Sequence, residues 1–124
     1  MSHIVQIKTH VRDAEAVRLA CRRLGLAEPV QGTTRLYSGE ATGLAVQLPG
    51  WRYPAVCQLD TGQILFDTFN GSWGEQKELD KFLQNYAVET AKIEARKKGH
   101  SVNEQLLQDG SIKLTIQVAG GASS

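Results

Sequence analysis

Val5, Ile7 and Val11 alternate with Gln6, Lys8 and His10. That period of two predicts a half-buried strand over residues 3–11. The period changes at Asp13. Ala14, Val17, Ala20, Cys21 and Leu24 recur at helical spacing, with Asp13 placed to cap the start. Gly25 supplies the left-handed residue that ends a helix, and Leu26 can fold back on the last turn.

Residues 29–75 are rich in Gly and Pro and carry no helical period. Alternating pieces at 34–38, 43–48, 55–60 and 63–69 predict short strands, with Asp60-Thr61-Gly62-Gln63 as the turn between the last two. Pro49-Gly50 and Pro54 bracket a loop bearing Trp51 and Tyr53.

A long helix follows. Ser72 and Glu75 have capping-box spacing, and Leu79, Phe82, Leu83, Tyr86, Ala87, Thr90 and Ile93 form one face. Glu78, Asp80, Lys81, Glu89 and Lys92 lie mostly off that face. Arg96-Lys97-Lys98 suit the negative end of the helix dipole, and Gly99 closes the helix. Two alternating runs, 102–107 and 111–118, flank Asp109-Gly110, a strong hairpin signal. Ile112, Leu114, Ile116 and Val118 are expected to face the core.

The order is strand, helix, several strands, helix, two strands, which lacks the alternation that builds a parallel sheet. It predicts an α+β fold in two layers: one largely antiparallel sheet with both helices on one face. Gln6, Lys8, Lys113, Thr115 and Gln117 would line the other face. Residues 1–118 read as one domain, and residues 119–124 as a flexible tail.

Composition narrows the function classes. The formal net charge of +1 lacks the basic excess of a dedicated nucleic-acid binder. No apolar run reaches the roughly 18 residues of a membrane span, and the N-terminus has no signal pattern. Cys21 and Cys57 sit among apolar neighbours and read as buried thiols in a reducing compartment. A soluble cytoplasmic protein is expected.

Some of these residues resemble a known family. Met1-Ser2-His3, Ile7-Lys8-Thr9 followed by Arg12, Asn85-Tyr86-Ala87, and above all Glu104-Gln105 through Asp109-Gly110-Ser111-Ile112-Lys113-Leu114 carry the likeness. It is to the "hypothetical chloroplast open reading frame thirty-five" family of plastids, cyanobacteria and other bacteria. The resemblance covers residues 1 to about 118 and implies a soluble cytoplasmic or stromal protein. It implies no activity, and no catalytic residue is carried over.

The candidate chemistry is sparse. His3, His10 and His100 have no metal-ligand spacing, and the two cysteines form no Cys-x-x-Cys. No metal and no cofactor are expected. His3 is a weak polar-site candidate, because it shares the core parity of Val5 and Ile7 near a chain end. Gly32, Gly39, Gly43 and Gly50 match no phosphate loop and are expected in turns. Gly120-Gly121 resembles a modifier tail, but the preceding pattern is not that of a modifier.

Trp51, Tyr53 and Trp73 carry more information. Large aromatics in loops either cap the core or anchor a partner. They are the partner-binding candidates of a non-enzymatic interaction module. The alternative is an enzyme or small-molecule binder with a site assembled from distant residues; a nucleic-acid role ranks third.

Overall fold

A computed structural model describes residues 4–69 and 71–118. The elements are β1 (Val5–Lys8), α1 (Ala14–Arg23), β2 (Val30–Arg35), β3 (Glu40–Val46), β4 (Ala55–Gln58), β5 (Gln63–Phe66), α2 (Gln76–Lys97), β6 (Ser101–Leu106) and β7 (Ile112–Gln117). Every strand pairing is antiparallel. The fold is therefore α+β, as the element order predicts. The chain divides into two compact units, residues 1–86 and 87–124, with the boundary inside α2.

In the first unit the strands form one sheet in the order β1-β5-β4-β3-β2. Register places Leu44 beside Cys57 and Cys57 beside Ile64, with Val46 beside Ala55 on the same face. All five are buried. Ala16, Val17, Ala20 and Cys21 of α1 and Leu79, Phe82 and Tyr86 of α2 are buried as well. Asp13 caps α1 as expected, its carboxylate accepting from the Glu15 and Ala16 amides. At the far end Leu26 N–H donates to the Cys21 carbonyl at 2.8 Å, past Gly25 at φ 70°. Tyr86 ties α2 to the chain entering α1: its hydroxyl accepts from the Arg12 and Asp13 amides, each at 3.0 Å.

The opposite face of the sheet is not the polar surface expected from Gln6 and Lys8. Val56, Ala41 and Leu36 form a second buried cluster there, partly covered by Ile4, Ala45, Tyr53 and Leu65. Leu36 opens the β2–β3 turn, its amide donating to the Gly39 carbonyl at 2.7 Å. Gly39 and Gly43 do not have positive φ. Gly43 lies inside β3, where a Cβ would stand 2.4 Å from the Cys57 carbonyl oxygen. It is needed for close strand approach rather than for a turn.

The capping box also differs. Helix α2 begins at Gln76, and Ser72 belongs to a run of turns before it. The Glu75 carbonyl instead accepts from the Trp51 indole N–H at 3.0 Å.

In the second unit, β6 and β7 form a separate two-stranded sheet, so the described residues form two sheets rather than the expected one. Gly110, at φ 89°, makes the tight turn, and the Asp109 carboxylate accepts from the Ser111 amide and hydroxyl. These bonds hold the Asp109 pKa below its ordinary value. Val102, Leu106, Ile112, Leu114 and Ile116 share one face by register, but Leu106, Ile116 and Val118 are exposed. For Ile116 and Val118 this overturns the expectation that they face a core. On α2, Glu89 is 4% exposed and bridges Lys92 at 3.7 Å. It was expected off the buried face. Schellman bonds close this helix too, with His100 N–H on the Ala95 carbonyl past Gly99.

Candidate functional site

The loop between β5 and α2 builds a surface from aromatic rings. Asp67, buried at the end of β5, accepts the Phe69 amide at 3.3 Å through Oδ1. A side chain bonding two residues ahead makes an Asx turn. It places Phe69 at φ 49°, the one non-glycine among the described residues in the left-handed region. Such a conformation costs roughly 1–2 kcal/mol for an L-residue with a bulky side chain. The Thr68 carbonyl then receives the Gly71 and Trp73 amides, and the Phe69 carbonyl receives that of Ser72. The Asp67 Oδ2 has no hydrogen-bond partner among the described residues.

This folded loop carries Trp73, on which three rings converge. Phe69 stacks on it with centroids 4.9 Å apart and planes 22° from parallel. Tyr37, from the β2–β3 turn, lies at 5.2 Å, and Tyr53 lies edge-on at 5.7 Å. The Arg52 guanidinium carbon is 5.0 Å from the Trp73 ring centroid and 6.0 Å from that of Tyr53. Arg52 N–H also donates to the Trp73 carbonyl at 2.8 Å, joining the two loops. Tyr37 is 59% exposed and Phe69 37%, while Tyr53 and Trp73 are half-buried. Tyr53 roots the group in the second apolar cluster.

Trp51 has a different place. It is 5% exposed and packs against Phe66 at 5.5 Å. With its N–H on the Glu75 carbonyl, it is a core cap and not a surface anchor. The expectation that it joins Tyr53 and Trp73 in binding is corrected on that ground. Next in sequence, Arg52 is exposed and Tyr53 is half-buried against the Leu36–Val56 cluster. Tyr37, Arg52 and Phe69 were missed. Tyr37 lies in the turn just past the end of β2, where the strand period no longer holds. Phe69 was read as part of a strand that in fact ends at Phe66. His3 lies outside the described residues, as do the Gly120-Gly121 pair and Asn70.

Other chemistry is thin. Burial and the nearby Cys21 push the Cys57 thiol up to about 12. Burial, with Glu28 adding to it, pushes Cys21 up to about 11. Both remain protonated at neutral pH, which disfavours a nucleophilic role. Among the described residues, no group of three or more His, Cys, Asp or Glu could hold a metal ion. Grooves of about 340, 290 and 310 Å³ are present among the described residues. The first is flanked by Glu78 and Lys81, the second by Cys57 and Asp60, and the third has no charged residue in its lining. No helix among the described residues is long and apolar enough to cross a membrane. No family model, curated protein or solved structure matches the chain.

Proposed function

We propose that the aromatic surface centred on Trp73 binds a protein partner, and that the chain is a non-enzymatic interaction module of the cytoplasm. The observation that carries this reading is Phe69. A large apolar ring is held in a costly backbone conformation, and the strain keeps it partly exposed on Trp73 instead of filling the core. Exposed aromatics on a rigid base are the usual anchors of protein interfaces. Tyr53 and the buried Leu36–Val56 cluster provide that base.

The alternative, an enzyme or small-molecule binder, has less support. Both thiols are buried and protonated at neutral pH, and the aromatic surface is open rather than enclosed. The likeness of the Glu104–Leu114 motif to the plastid family remains a proposal and adds no site residue.

Phe69→Asn and Tyr37→Ser test the reading, since Asn tolerates the left-handed region and Tyr37 is mostly solvated. Each variant should stay within about 1 kcal/mol of the parent in stability. Each should lose the proteins that the parent retains from native lysate. Retention of the same proteins by both variants would sink the proposal.

A further inference from the structure

Arg52 is the exposed cation of this surface, and among the described residues no acidic side chain pairs with it. Its guanidinium is held over Trp73 and beside Tyr53. A stacked guanidinium keeps its in-plane N–H donors free while losing much of its rotamer freedom before any ligand arrives. Phe69 and Tyr37 contact the same indole that Arg52 covers. The cation and the two exposed rings therefore share one indole as their base.

We propose, resting on the reading above, that the partner segment docked here presents an Asp or Glu beside an apolar side chain. Arg52 receives the carboxylate, and Tyr37 and Phe69 receive the apolar neighbour. Charge complementarity decides for a carboxylate, because a fork of donors matches two oxygens in one plane. It also decides against nucleic acid. A phosphate backbone is held by several cations at once, and among the described residues Arg52 is the cation seen against these rings, on a chain of net charge +1.

The test selects a phage-displayed library of random short peptides on the full chain. The enriched peptides should carry Asp or Glu next to an apolar residue. Changing that acid to its amide should weaken binding about tenfold, as should Arg52→Gln in the protein. Arg52→Lys, which keeps the charge without the fork, should fall between. Enriched peptides that need Phe69 and Tyr37 but tolerate Arg52→Gln would overturn the carboxylate and leave the aromatic surface standing. Enrichment no different from that on the Phe69→Asn variant would defeat both proposals. Single-stranded poly(U) binding that weakens with Arg52→Gln, with no acidic peptide selected, would also overturn the inference, in favour of nucleic acid.

Discussion

Gly74 lies against the indole of Trp51: a Cβ at position 74 would stand 2.7 Å from its Cγ and Cδ2. The ring cannot yield, because it is buried against Phe66 and its N–H is bonded to the Glu75 carbonyl. Trp51 thus holds the loop that carries Trp73 from its buried side.

Gly74→Ala should cost about 1–3 kcal/mol, as overpacking does in well-filled cores. Trp51→Ala should cost about 3–5 kcal/mol. The two changes are coupled, so the Gly74→Ala penalty should largely vanish in a Trp51→Ala background. Urea midpoints of the four proteins check this, and simple additivity would refute the contact.

Tyr86→Phe removes the acceptor of the Arg12 and Asp13 amides. Orphaning part-buried donors costs about 1–3 kcal/mol. The denaturation midpoint should fall accordingly, with faster hydrogen exchange at those two amides. An unchanged midpoint and unchanged exchange would mean that the hydroxyl does not join the two segments.

The thiols predict a pH dependence. Cys57 rises from an ordinary 9.0 to about 12, so the folded state holds its proton where the unfolded state releases it. Stability from this group is full below pH 9 and is lost as pH rises toward 12. Cys57→Ala should flatten that alkaline decline. At neutral pH neither thiol should react with an aromatic disulfide reagent until the protein unfolds. Fast labelling of Cys57 in the native state would contradict its burial.

Gly110→Val places a β-branched residue at φ 89°. The expected cost is on the order of 1 kcal/mol or more, concentrated in the hairpin. Amide exchange at Asn103, Gln105 and Lys113, whose register places them in the hydrogen-bonded pairs of the ladder, reads it locally, where protection should drop about fivefold or more. Protection equal to that of the parent would remove Gly110 from the turn.

Much of the fold was legible in the sequence because it depends on neighbours along the chain. The Asp13 cap, Gly25 and Gly99 at the helix ends, and the Asp109-Gly110 turn each answer to a local rule of dihedral angle or hydrogen bonding. Strand and helix periods follow from which side chains must leave water. The expected single sheet failed because alternation shows that a hairpin forms, not which strand it joins. Ser72 failed as a cap because the chain turns over residues 71–74 and enters the helix at Gln76, past the expected start.

The candidate site shows the same division. The sequence by itself determined that Trp51, Tyr53 and Trp73 stand in loops, since Pro and Gly interrupt every regular period around them. It determined the apolar setting of Cys21 and Cys57, both of them buried. Only the tertiary structure separated Trp51 from Trp73, one sealed against Phe66 and the other surrounded by Tyr37, Tyr53, Phe69 and Arg52. Burial of a ring and convergence of rings are decided by segments far apart in the chain. No local pattern records them.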